Sequence, residues 1–262
     1  MKFGKLGELC HGYNAMTTCD SDMLMDIGYQ VMAGGEEISF QDSKKETAFV
    51  ILEGCVEIQW EQRSEKMQRD SLFDENPYCL HVPAGTVVVV KAQGMAQLLI
   101  QKTENEQKFA PKFYRPEDVQ CDQFGAGAWN GTAERTVRTI FDYENAPYSN
   151  MVNGEVINRP GRWSGYIPHT HPQPEVYTYK FNKKQGFGAS FVGDDVYKIQ
   201  HNSWSAIPGG DSHPQVTAPG YAMWYSWMIR HLPGDPWKKT RTDDPDHVWL
   251  LDPKVKIWPE DK

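Results

Sequence analysis

The sequence has little of several things, and each shortage removes a class of protein. It holds only five cysteines, Cys10, Cys19, Cys55, Cys79 and Cys121. The number is odd, no two form a C-x-x-C pair, and none follows Cys121, which argues against a disulfide framework and against a cysteine-based zinc site. Free or buried thiols in a reducing cytoplasm are expected. No apolar run approaches the roughly 20 residues that a membrane helix needs. Val87-Val88-Val89-Val90 is only strand-sized. Positive charge is also short: 27 basic against 35 acidic residues give a formal net charge of −8. A nucleic-acid binder needs a basic stripe along the phosphates, and no helix-turn-helix or other DNA-reading segment is evident. Neither nucleic acid nor membrane is expected as a partner. Behind Met1-Lys2-Phe3-Gly4-Lys5 there is no apolar stretch and no small-residue cleavage site, so no secretory leader is expected.

Long stretches of helical period are missing too. The apolar residues fall instead in short runs bounded by turn residues, the pattern of β-strands. Such runs are Ala48 to Leu52, Thr86 to Val90, Ala96 to Ile100, Glu175 to Phe181 and Tyr221 to Ile229. The expected class is all-β, built from many short strands.

The chain looks internally doubled. Val82-Pro83-Ala84-Gly85-Thr86-Val87-Val88 and Ile207-Pro208-Gly209-Gly210-Asp211-Ser212-His213 share an apolar-Pro-x-Gly pattern, each followed by strand-like sequence. The seventh position is Val88 in the first copy and His213 in the second. The stretch from Phe109 to Thr136 holds Pro111, Pro116 and Gly125-Ala126-Gly127 with little periodicity. It marks the boundary between halves, as a linker or as a segment packed across both. The expected domains are 1–125 and 126–262.

Chemistry concentrates in the second half. Six of the eight histidines lie after residue 168, two of them in His169-Thr170-His171, ahead of Glu175. In an extended strand, residues two apart face the same way, so both imidazoles can aim at one point. Imidazole nitrogen and carboxylate oxygen together suit zinc, manganese, iron or nickel. His213, after its Pro-x-Gly turn, is the natural fourth ligand from a neighbouring antiparallel strand. His11, His81, His201, His231 and His247 have no comparable context and are expected to be ordinary surface or hydrogen-bonded histidines.

These residues resemble the motifs of the cupin family. His169, His171 and Glu175 match the ligand core of the first motif, and Pro208, Gly210 and His213 match the core of the second. Asn202 and Thr217 stand where that pattern has glycine and asparagine. The resemblance implies a small β-barrel of the double-stranded β-helix (jelly-roll) type, with a metal in its mouth. The doubling resembles a bicupin whose first barrel carries no metal and serves as scaffold or interface. A narrower resemblance, to the 5-deoxy-glucuronate isomerases of inositol breakdown, rests on Gly161 to His171, Glu175 to Phe181, Gly186-Phe187-Gly188, Ala218 to Tyr221 and Asp244 to Trp249. The related uronate ketol-isomerases share the bicupin plan.

That resemblance implies a metal-dependent aldose-ketose isomerase acting on a deoxy sugar acid, an intramolecular oxidoreductase. It implies a divalent ion, zinc first, with manganese or iron as alternatives, held by His169, His171, Glu175 and His213. Glu175 is either only a ligand or leaves the metal to act as the base of a proton transfer, with a metal-assisted hydride shift as the alternative route, and Tyr177 and Tyr179 share its strand parity and its expected pocket. The substrate carboxylate calls for a cation, and Arg162, Lys180 and Arg230 lie nearest the motifs. The rival readings are a cupin dioxygenase and a non-enzymatic sugar-binding bicupin. Barrel edges and the degenerate first half suggest a homo-oligomer.

Overall fold

The computed structural model describes residues 1–259. As the periodicity predicts, the fold is nearly all strand, and the only helical turns among the described residues are three short 3-10 segments. The sequence runs become the strands Lys45–Trp60, Val88–Ala92, Ala96–Glu104, Glu175–Phe181 and Met223–Arg230. Their boundaries shift by a few residues, because pairing extends a strand beyond its apolar run.

Two barrel-like halves follow one another. The first is a nine-stranded arrangement in which Lys45–Trp60 pairs with Arg63–Arg69, Cys79–Val82, Val88–Ala92 and Ala96–Glu104, all antiparallel. Its interior is filled by apolar side chains, among them Phe49, Ile51, Ile58, Trp60, Met67, Val88 and Val90. Val88, the counterpart of His213, is buried within that core.

The second half is built on a seven-stranded sheet and a four-stranded sheet. In the larger sheet Glu175–Phe181 lies between Ser203–Ile207 and Met223–Arg230, followed by Met151–Asn158 and Arg135–Phe141. Two exchanges tie the halves together. The strand Phe3–Lys5 pairs with Ser203–Ile207. The stretch between Phe109 and Thr136 packs across both halves: Lys112–Tyr114 joins the first half and Gln120–Phe124 joins the second through Arg135–Phe141. Strand pairing therefore changes sheets between Tyr114 and Gln120, slightly ahead of the expected boundary at 125.

The large sheets face each other across a mixed core that includes Met25, Tyr29, Val50, Leu99, Val176, Trp224 and Met228. Full burial of each large apolar side chain contributes about 1.5–3 kcal/mol. An ion triad crosses the same interface. Arg69 grips the Glu155 carboxylate with both terminal nitrogens, at 2.6 and 2.7 Å, and Arg138 reaches it at 3.2 Å. All three are buried.

Candidate metal centre

Strand alternation decides which side chains reach the interior of the second barrel. On Glu175–Phe181 the odd residues point inward and the even ones point at the first half. Glu175 and Tyr177 line a cavity of about 870 Å³, whereas Val176 belongs to the interface core and Thr178 shares a hydrogen bond with Tyr29. On Met223–Arg230 the same rule sends Tyr225, Trp227 and Ile229 into the cavity.

At one end of this cavity three of the four expected ligands converge. His171, Glu175 and His213 each offer an atom within 4.8 Å of the others, and all are buried. His171 Nε2 and His213 Nε2 lie 3.2 and 3.3 Å from the same oxygen, Glu175 Oε2. His169 stands beside them, its ring 5.0 Å from that of His213, centroid to centroid. The expectation that His169 and His171 share one continuous strand is modified. The strand ends after Thr170, because Pro172 and Pro174 follow, and His171 sits in the bend. Its carbonyl is fixed there by the Gly210 amide, which donates at 2.8 Å. His169 is placed by pairing with Asp243 in a two-stranded ribbon.

The proton positions suit a cation. His169 Nδ1 lies 2.8 Å from the Ile167 carbonyl and His213 Nδ1 lies 2.9 Å from the Asp211 carbonyl. A carbonyl only accepts, so both neutral rings carry their proton on Nδ1 and leave a bare lone pair on Nε2. Burial pushes His169 down to about 4, with the neighbouring His213 adding to the effect, and burial lowers His213 as well. Burial alone would raise the Glu175 carboxyl; the hydrogen bond from His171 and the surrounding imidazoles outweigh it and hold Glu175 below its ordinary value. The lone pair of His213 Nε2 thus faces an ionised carboxylate oxygen, an arrangement that repels unless a cation lies between them. The nitrogen and oxygen donors fit a divalent metal ion.

The two tyrosines differ. Burial, then the Glu175 charge, raise the Tyr177 phenol well above its ordinary value, so it keeps its proton at the cavity wall. The Tyr179 hydroxyl instead binds Ser190, Ser205 and Gln215 at 2.6–3.1 Å beneath the site. None of Arg162, Lys180 and Arg230 lines the cavity. Lys180 and Arg230 sit on the outward-facing parity of their strands. Lys180 donates to Asn202 at 2.8 Å and lies over the Tyr29 ring, while Arg230 bonds backbone carbonyls of Asn150, His231 and Glu104. The cations that do line the cavity are Arg135, Lys239 and Arg241. They come from a distant strand and from the C-terminal segment, so no local motif marked them. Of the other histidines, His81 bonds Glu46 at 2.8 Å, His11 bonds Glu36, His201 accepts from the Phe181 amide and His231 from the Trp237 amide.

The fold and this centre define a class first. The chain superposes on an IolB-like protein from Salmonella typhimurium LT2 with a TM-score of 0.87, at 18% identity over 96% of this chain and 100% of that one. It superposes on oxalate decarboxylase from Lactobacillus farciminis with a TM-score of 0.68, at 10% identity over 97% and 91% of the two chains. This is the cupin fold, here in two barrels. The family follows from sequence: the KduI/IolB family model matches residues 8–250, and the chain belongs to that family. Similar relatives include the 5-deoxy-glucuronate isomerase of Geobacillus kaustophilus, 27% identical over 258 residues and 90% of each chain. The 5-deoxy-glucuronate isomerase of Lacticaseibacillus casei is 26% identical over 226 residues, 79% of this chain and 80% of that one.

Proposed function

We propose that this protein is a metal-dependent aldose-ketose isomerase that converts 5-deoxy-glucuronate, an aldehyde sugar acid, into the corresponding ketose acid. Membership of the KduI/IolB family and the names of the relatives support the reaction class. The observation that carries the metal is the lone pair of His213 Nε2 facing the Glu175 carboxylate at 3.3 Å, with His171 and His169 beside it. The proposed ligands are His169, His171, Glu175 and His213, and zinc is the proposed ion, with manganese or iron fitting the same donors. When bound, the ion supplies Lewis-acid polarisation of the substrate carbonyl and its neighbouring hydroxyl.

The chain's own groups would do the rest. The reaction removes a proton from C2, leaves its electron pair in a C1–C2 double bond, and returns a proton to C1 as the C2 hydroxyl becomes a carbonyl. In this reading Glu175, released from the ion, carries that proton. Tyr177 stays protonated and donates a hydrogen bond to a substrate oxygen. Tyr179 holds the floor beneath them through Ser190, Ser205 and Gln215. Trp227 and Trp237 on the wall exclude water. The first barrel acts as scaffold, and residues 126–262, joined by the strand Gln120–Phe124, form the reacting half.

The test is a proton-NMR assay of 5-deoxy-glucuronate under anaerobic conditions, before and after chelation and after zinc is restored. Oxygen-independent conversion that is lost on chelation and regained with zinc supports the reading. Conversion that survives complete metal removal defeats the metal role, and consumption that requires oxygen favours the dioxygenase.

A further inference from the structure

The cavity wall carries three cationic side chains besides the imidazoles, and two of them have carboxylate partners. Lys239 is held by Asp142 at 3.1 Å and Glu144 at 2.8 Å. The Arg241 Nε is held by Asp243 at 2.8 Å. Arg135 differs. Among the described residues it makes no ion pair; its Nη1 donates to the Ala133 carbonyl at 3.0 Å and its guanidinium lies 5.6 Å from the centre of the Phe124 ring. The acids on the same wall do not serve it. Asp122 accepts from Gln120 at 2.7 Å, Asp252 accepts from the Lys254 amide at 2.8 Å, and Glu175 faces the imidazoles.

Arg135 is placed by strand parity. On Arg135–Phe141 it shares the cavity face with Val137 and Thr139, while Arg138 on the other face enters the ion triad with Glu155. Burial pulls the guanidinium below its ordinary value, and the like charge of Arg241 acts in the same direction. Its field reaches Tyr225 and Tyr177, and Tyr177 in turn borders Glu175. Tyr177 and Tyr225 lie between the two ends, their ring centroids 4.8 Å apart and their planes tilted by 52°. The cavity therefore has two poles, the histidine–glutamate centre at one end and an unneutralised guanidinium along the aromatic wall. A partly desolvated cation without an anion is unfavourable, and a planar guanidinium fork matches a carboxylate through two parallel hydrogen bonds.

We propose that Arg135, with Arg241 beside it, is the carboxylate subsite of this cavity and selects sugar acids over neutral sugars. The terminal carboxylate of the substrate docks on Arg135, and its carbonyl end is thereby directed to His171, Glu175 and His213. The inference rests on the isomerase reading for the identity of the substrate, but the subsite itself is a claim about binding.

Two measurements keep the two claims apart. The first is NMR titration of wild type and Arg135→Gln with glucuronate and with glucose, which differ in the terminal carboxylate. The expected result is that glucuronate binding weakens about tenfold to a hundredfold in Arg135→Gln, as loss of a charge-assisted pair implies. Glucose binding, metal content and Tm stay at wild-type values. Arg135→Lys retains the charge without the fork and is expected to fall between the two; it also carries the test if Arg135→Gln does not fold. Equal glucuronate affinity in wild type and variant overturns the subsite. The second measurement is the kcat and KM split on 5-deoxy-glucuronate. A rise in KM with kcat largely kept supports positioning by Arg135, and a fall in kcat alone at unchanged KM overturns it. If glucuronate binding depends on Arg135 and wild type converts no deoxy-uronate, the subsite stands and the isomerase reading fails.

Discussion

Gly209→Ala is the sharpest perturbation of the turn that holds the His171-Pro172 bend. A Cβ on Gly209 would lie 1.9 Å from the Pro172 carbonyl oxygen and 2.7 Å from its carbon. Both atoms are backbone, so neither can swing away as a side chain would. The neighbouring Gly210 has φ +92° and donates its amide to the His171 carbonyl at 2.8 Å. Inserting the methyl must push His171-Pro172 off the turn. Overpacking of this kind costs about 1–3 kcal/mol, and weakening the Gly210–His171 hydrogen bond adds about 0.5–1.5 kcal/mol. The stiffer unfolded chain offsets about 0.4–1 kcal/mol. The net expectation is a loss of about 0.5–4 kcal/mol in urea unfolding. Metal affinity should fall about tenfold or more, as when groups supporting a ligand are displaced. The first barrel supplies the contrast. Its equivalent turn has Ala84 at this position, buried, so a Cβ is accommodated there. A Gly209→Ala protein with wild-type urea midpoint and wild-type metal affinity would refute the claim that this turn positions His171.

Two further outcomes concern stability. Glu155→Ala leaves Arg69 and Arg138 buried without their carboxylate and should cost about 3–5 kcal/mol in urea unfolding; a loss under about 1 kcal/mol would show that the triad does not hold the barrels together. The buried His231 imidazole is pushed down to about 4, by burial first and then by the Arg230 charge. Its folded value lies below the unfolded value of about 6.5, so the stability it contributes is present above about pH 6.5 and is lost as pH falls toward 4. The urea midpoint of wild type should drop across that window, and His231→Asn should flatten the drop; identical slopes would contradict it.

Short-range patterns in the sequence carried the all-β class and the positions of the central strands, because alternation and turn residues act locally. The grouping of His171, Glu175 and His213 was legible for the same reason, since a bend and a Pro-x-Gly turn leave marks over a few residues. The cation on the cavity wall was not. Lys180 is close to Glu175 in sequence, but an odd separation on a strand puts it on the opposite face, over Tyr29. Arg135 is distant in sequence and reaches the cavity only because its strand lies three strands along the same sheet. Tyr179 shares parity with Tyr177, yet depth within the barrel turns its hydroxyl toward Ser190, Ser205 and Gln215.

The most direct test of the central claim is the metal content of the purified protein, by elemental analysis, for wild type and for His213→Ala. The account predicts close to one divalent ion per wild-type chain and almost none in His213→Ala, with the β-sheet circular dichroism of the two alike. Equal metal content in both proteins would contradict it.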